Sequence, residues 1–143
     1  MILLDTSGLL AALDASQPLH GAAARALSAS GPPRLLSPFV LAELDYLLRT
    51  RVGAQAQRAL LAEVARGAYR VEPFSPGDVD VARAVMERWS SLDLDLADAS
   101  IVVLAHRHGA RDVLTLDERR FRRLRRAGGR AFRILPADHG VIY

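Results

Sequence analysis

Asp5, Glu43, Asp98 and Asp117 are the residues of this 143-residue chain best suited to chemistry. Each stands where an apolar run meets a helix-like segment. Ile2-Leu3-Leu4 runs into Asp5, Leu96-Ala97 into Asp98, and Val113-Leu114-Thr115-Leu116 into Asp117, while Glu43 is set among Leu41, Ala42, Leu44 and Leu47. In a sheet flanked by helices, the carboxyl ends of the strands converge on one crevice. Four carboxylates gathered there repel one another, and a hard divalent cation bound through oxygen relieves the repulsion. Mg²⁺ or Mn²⁺ is the expected partner.

Each acid also has an ordinary alternative. Asp5, directly after three aliphatics, is costly to bury unless something uses it, but it could cap the next helix in competition with Thr6 and Ser7. Asp98 follows Asp95 by three residues, a spacing that also suits an N-cap and an acid favourable to the helix dipole. Asp117 could cap a helix over Glu118 to Arg126, and Glu43 lies on or beside an apolar stripe. The joint pattern, four acids at one edge of one sheet, carries the functional inference. Asp93 and Asp95 read as loop and capping acids, and Asp45 as solvent-facing.

The elements that must position these acids follow from hydrophobic period and punctuation. Ile2 to Leu4 reads as a buried strand, then a tight turn through Asp5-Thr6-Ser7-Gly8 and a helix over Leu9 to Leu13. Pro18 suits the first turn of a helix to about Ala29, which Ser30-Gly31-Pro32-Pro33 ends. Arg34 to Leu36 is a strand. Ser37-Pro38 pairs an N-cap with proline at the first helical position of the Glu43 helix, and a further helix covers Ala54 to Ala65. Tyr69 to Glu72 is a strand or an extended connection. A helix from Ser75-Pro76 to about Trp89 has Val79, Ala82, Val85, Met86 and Trp89 on its apolar face. Asp95 to His108 is apolar around most of its circumference, so it is expected to be central and buried. Asp112 to Thr115 and Ala131 to Leu135 are the last strands. This alternation predicts an α/β fold, a three-layer α/β/α sandwich with a mainly parallel sheet, as a single domain over residues 1–143.

Bulk properties narrow the class. Half the residues are hydrophobic, which argues against disorder, and there is no cysteine for a disulfide, a thiolate metal site or a thiol nucleophile. Met1-Ile2-Leu3-Leu4-Asp5 has no basic leader, and no apolar run approaches the ~20 residues of a membrane span, so a cytoplasmic protein is expected. All 19 positive residues are arginine, and eight lie between Arg119 and Arg133, including the doublets Arg119-Arg120, Arg122-Arg123 and Arg125-Arg126. These suit phosphate binding, or a solvated surface in an arginine-rich proteome. In the helix expected there, Phe121 and Leu124 face the core. His20 and His139 read as surface residues, and His106 and His108 as charges favourable to a helix end.

Ile2-Leu3-Leu4-Asp5-Thr6-Ser7, Ser37-Pro38 to Glu43, Leu96-Ala97-Asp98-Ala99 and Leu114-Thr115-Leu116-Asp117-Glu118-Arg119-Arg120-Phe121 together resemble the PIN domain, in particular the VapC-type toxin ribonucleases of toxin-antitoxin pairs. The resemblance spans almost the whole chain. It implies that Asp5, Glu43, Asp98 and Asp117 are the acidic quartet, with Thr6, Ser7 and Thr115 as polar groups behind it. It further implies RNA as substrate, a VapB-type antitoxin that occludes the site, and a homodimer.

The resulting expectation is an endoribonuclease with one or two Mg²⁺ or Mn²⁺ ions, roughly 3.5–4 Å apart if paired, that polarise the scissile phosphate and acidify an attacking water. Asp5 and Asp98 are the principal ligands; Glu43 and Asp117 complete the set, with Glu43 able to act as base. One alternative is a metal-dependent phosphatase with Asp5 as nucleophile. The haloacid dehalogenase-like phosphatases want a second acid where Ser7 stands, and a lysine that this chain lacks. The other is a non-catalytic RNA-binding module, against which the intact quartet speaks.

Overall fold

The computed structural model describes residues 1–140. Five short strands, β1 (Ile2–Leu4), β2 (Arg34–Leu36), β3 (Arg70–Val71), β4 (Asp112–Leu114) and β5 (Arg133–Leu135), form one sheet in the order β3-β2-β1-β4-β5. Every pairing is parallel: Leu3 stands beside Leu35 on one side and Val113 on the other. Parallel strands are covered on both faces, which is why Ile2-Leu3-Leu4 is apolar without alternation and wholly buried. Each such aliphatic side chain contributes about 1.5–3 kcal/mol on burial.

Seven α-helices connect the strands: α1 (Thr6–Leu13), α2 (His20–Ala29), α3 (Pro38–Arg51), α4 (Ala54–Ala65), α5 (Pro76–Arg88), α6 (Leu96–His108) and α7 (Glu118–Phe121). The chain first moves outward from β1 to β2 and β3, then returns past β1 to β4 and β5. Right-handed crossovers in opposite directions lie on opposite faces, so the sheet is the middle of three α/β/α layers. The order reverses between β1 and β4, and a crevice opens there beyond the strand ends.

Several local expectations hold. Ser37 caps α3 through a 3.2 Å bond from the Phe39 N–H, with Pro38 at the first helical position. Ser75 and Asp78 form a capping box on α5. The run Ala97 to Ala105 in α6 is buried apart from the half-exposed Asp98. Phe121 and Leu124 are both fully buried.

Others are corrected. No tight turn separates β1 from α1: the helix starts at Thr6, and Gly8 is inside it. A Cβ on Gly8 would lie 2.3 Å from the Leu114 carbonyl oxygen, so glycine is there for close helix–strand approach. Pro18 precedes α2 in a turn, and the helix begins at His20. Val79 is 43% exposed instead of facing the core. Helix α7 stops at Phe121 instead of Arg126; a short 3₁₀ turn at Ala127–Gly129 and an antiparallel bridge between Arg125 and Ala131 replace its expected end. Two glycines with positive φ, Gly128 and Gly129, favour that turn over helix. Among the described residues no helix is long and apolar enough to cross a membrane.

Candidate active site

Asp5, Glu43, Asp98 and Asp117 all line one cleft of about 320 Å³ at the carboxyl edge of the sheet. Asp5 reaches it from the end of β1, Asp117 from just past β4, Asp98 from the first turn of α6 and Glu43 from the wall formed by α3. Sheet order accounts for the meeting of the first two: β1 and β4 are neighbours across the switch point.

Asp5 is 6% exposed, and its side chain does not cap α1 in the usual way. Instead Oδ2 accepts hydrogen bonds from Thr115 Oγ1 at 2.6 Å and Ser7 Oγ at 3.1 Å. Each hydroxyl is in turn aligned by a backbone donor: the Asp117 N–H donates to Thr115 Oγ1 at 2.9 Å and the Leu116 N–H to Ser7 Oγ at 3.0 Å. Thr115 and Ser7 are therefore struts that hold the carboxylate between two strand ends. Burial pushes the Asp5 carboxyl above its ordinary range, while the bonds from Thr115, the Thr6 backbone and Ser7 oppose the rise.

Asp98 and Asp117 serve as cap and cleft residue at once. Asp95 Oδ1 accepts from the Asp98 N–H at 2.8 Å, and Asp98 Oδ2 accepts from the Asp95 N–H at 3.2 Å, a reciprocal capping box. Burial foremost, and then the Asp95 charge, push Asp98 up to about 7. Asp117 Oδ1 accepts from the Arg120 N–H at 3.1 Å, and its Oδ2 receives Arg120 Nη1 at 3.1 Å. Glu43 is exposed along the cleft wall.

Three further charged residues line the cleft without having been singled out as site residues: Asp95, Arg51 and Arg120. Asp95 was legible, because positions i and i+3 share a helix face. Arg51 was not, because nothing local distinguishes it among 19 arginines, and Arg120 stood out only as half of the Arg119-Arg120 doublet. Arg120 donates Nε to the Leu92 carbonyl at 2.9 Å and Nη2 to the Asp93 carbonyl at 3.4 Å, tying Asp117 to the turn that leads into α6.

The arginine doublets are largely committed within the fold. Arg122 makes a bidentate pair with the buried Asp138, at 2.8 and 2.7 Å, and reaches Glu118 at 2.8 Å. Arg125 donates to the carbonyls of Arg122 and Leu124, and Arg126 to that of Ala131. These bonds tie the chain between α7 and β5. The histidines stay outside the cleft: His108 Nε2 lies 2.7 Å from the buried Glu72, and His20 Nδ1 lies 2.9 Å from the Ala11 carbonyl. Asp45 is half-buried and receives Gln57 Nε2 at 2.8 Å, so it does not simply face solvent.

The donor set fits a hard cation in kind. It offers carboxylate oxygens with no sulfur or imidazole, and among the described residues the buried hydroxyl of Thr6, on the cleft wall beside Asp5, has no hydrogen-bond partner. Its spacing is open, since among the described residues no three acidic or histidine side chains are close enough to hold an ion without side-chain movement. Local bonds explain this, for Asp98 is drawn to Asp95 and Asp117 to Arg120.

An acid-lined crevice at the switch point of a β3-β2-β1-β4-β5 parallel sheet places the chain among α/β proteins with a carboxylate site, and residues 2–127 match the model of the PIN domain. The chain belongs to the PIN domain family. It is 40% identical to Ribonuclease VapC26 of Mycobacterium tuberculosis over 135 residues, 94% of this chain and 100% of that protein. Among solved structures it resembles VapC20 of the same organism, described as a sarcin-ricin loop cleaving toxin, with TM-score 0.70 and 27% identity over 82% of this chain and 90% of the other. FitAcB from Neisseria gonorrhoeae shares the fold at TM-score 0.60 and 21% identity, covering 79% and 85%.

Proposed function

We propose that this protein is a metal-dependent endoribonuclease, the toxin of a VapBC-type toxin-antitoxin pair, with Asp5, Glu43, Asp98 and Asp117 as its site. The observation that supports this most is the placement of all four acids around one cleft, in a chain with 40% identity to a VapC ribonuclease over nearly its whole length. Asp5 and Asp98 are the principal holders of Mg²⁺ or Mn²⁺, with Glu43 and Asp117 completing the set. Bound there, the cation supplies charge neutralisation at the scissile phosphate and a lower pKa for the attacking water.

The remaining work belongs to the chain's own groups. Thr115 and Ser7 hold the Asp5 carboxylate in one orientation, and the Arg120 fork holds Asp117. Glu43, exposed on the wall, takes the proton of the attacking water as general base. The leaving oxygen departs in line with that attack and takes its proton from solvent water. RNA is the substrate, and a VapB-type antitoxin and a homodimer are the expected assemblies in the cytoplasm. Because VapC20 is described as a sarcin-ricin loop cleaving toxin, that loop is the first RNA to assay.

The test is Mg²⁺- and Mn²⁺-dependent cleavage by Asp5→Asn and Asp98→Asn. Both are expected to lose about 100-fold or more in rate while keeping the wild-type thermal midpoint or exceeding it, since each removes a charge that burial disfavours. Undiminished cleavage by both variants sinks the acidic-site reading. Growth arrest on expression without new RNA ends sinks the ribonuclease reading.

A further inference from the structure

Glu43, Leu47 and Arg51 line the cleft from one helix, α3. Their spacing of i, i+4 and i+8 places them in a row along one face, and eight residues of helix carry Arg51 about 12 Å along the axis from Glu43. The cleft wall is therefore acidic at one end of this row and cationic at the other, with Leu47 between. Leu10 of α1 lies between Asp5 and Gln17 in sequence, and all three line the same cleft.

The two cleft arginines behave differently. Arg120 is consumed by Asp117 and two backbone carbonyls. Arg51 is exposed, and among the described residues its side chain makes no hydrogen bond, ion pair or ring contact, although five carboxylates line the cleft with it. A guanidinium present only to neutralise those acids would be drawn onto one of them, as Arg120 is. Arg51 keeps its planar fork of donors available, and that fork matches phosphate oxygens. Two helical turns along α3 from Glu43, it is placed to meet a different part of an extended anion.

We propose that Arg51 forms a second RNA phosphate subsite, which grips a phosphodiester flanking the one cleaved and so sets where along the strand the acids act. This rests on the nuclease reading above, and it assigns the cleft a polarity: scissile phosphate at the acid end, flanking phosphate at the end of α3.

The test is binding of a fluorescein-labelled RNA stem–loop to the full chain at several salt concentrations, with Ca²⁺ in place of Mg²⁺. Arg51→Gln is expected to weaken binding about five- to tenfold and to flatten the slope of log affinity against log salt by about 0.7–0.9, the signature of one lost phosphate contact. Arg49→Gln removes a charge from the same last turn of α3, where Arg49 lies over the Tyr46 ring outside the cleft. It reproduces any loss of helix-dipole stabilisation and is expected to leave affinity and slope unchanged. Wild-type affinity and slope in Arg51→Gln overturn the subsite, as do equal losses in both variants. The two readings fail separately. RNA that binds through Arg51 yet stays uncut in Mg²⁺ and Mn²⁺ removes the nuclease reading and leaves the subsite; cleavage with unaltered Arg51→Gln binding does the reverse.

Discussion

Thr115 donates its hydroxyl to Asp5 Oδ2 at 2.6 Å, joining the ends of two strands that are neighbours in the sheet and 110 residues apart in the chain. The bond does two things at once. It aims the most buried acid of the cleft, and it partly offsets the desolvation that raises that acid's pKa.

Thr115→Val keeps the side-chain shape and removes the donor. The Asp5 carboxyl is then expected to rise further, and Mn²⁺ affinity and cleavage to fall by about 10- to 100-fold, the usual cost of losing a group that orients a metal ligand. Calorimetric titration with Mn²⁺ alongside a cleavage assay checks it. Thr115→Ser, which keeps the donor, is expected to recover most of the loss; equal defects in both variants would assign Thr115 to packing.

Metal binding should depend on pH through Asp98. Its folded pKa, about 7, lies above the ordinary 3.8, so between those values the folded chain binds more protons than the unfolded one. The contribution of Asp98 to the stability of chelator-treated protein is therefore full below about pH 4 and is lost as pH rises towards 7. A cation held by Asp98, as proposed, displaces that proton, so affinity should climb up to about tenfold per pH unit below 7 and level off above it. Mn²⁺ titrations between about pH 5.5 and about pH 8 check the sign; Asp98→Asn should flatten the profile.

Gly8→Ala should destabilise the fold sharply. The added methyl would meet three backbone atoms, the Leu114 oxygen at 2.3 Å, the Leu114 carbonyl carbon at 2.4 Å and the Thr115 nitrogen at 2.7 Å, and backbone cannot rotate away. A cost of about 3 kcal/mol or more is expected, read as a fall in thermal midpoint on the order of 10 °C. Because the clash lies at Leu114 and Thr115, Asp5 should lose its alignment, and residual folded protein should cleave poorly.

Arg120→Lys keeps a positive charge and loses the fork that ties Asp117 to the carbonyls of Leu92 and Asp93. A single ammonium cannot span those partners with the same geometry. The Mg²⁺ concentration for half-maximal cleavage is expected to rise several-fold, with about 1–2 kcal/mol of stability lost in urea unfolding. A variant with wild-type Mg²⁺ dependence would limit Arg120 to a structural tie.

The strand and helix alternation, the four acids and their order are written in the local pattern of the chain, because hydrophobic period, proline, glycine and capping residues act over a few neighbours. Ser37-Pro38, the apolar run of α6 and the acid after Leu4 are legible for that reason. That local pattern did not determine which role of each acid prevails, and the tertiary structure shows that the alternatives were not exclusive: Asp98 and Asp117 cap helices and line the cleft together. Only packing decided that Gly8 is buried against β4 inside a helix, that Arg122 is spent on Asp138, and that among the described residues the Arg51 side chain stays unpaired beside the acids. Each of these depends on residues far apart in the chain, brought together by sheet order and crossover direction, which no local pattern encodes.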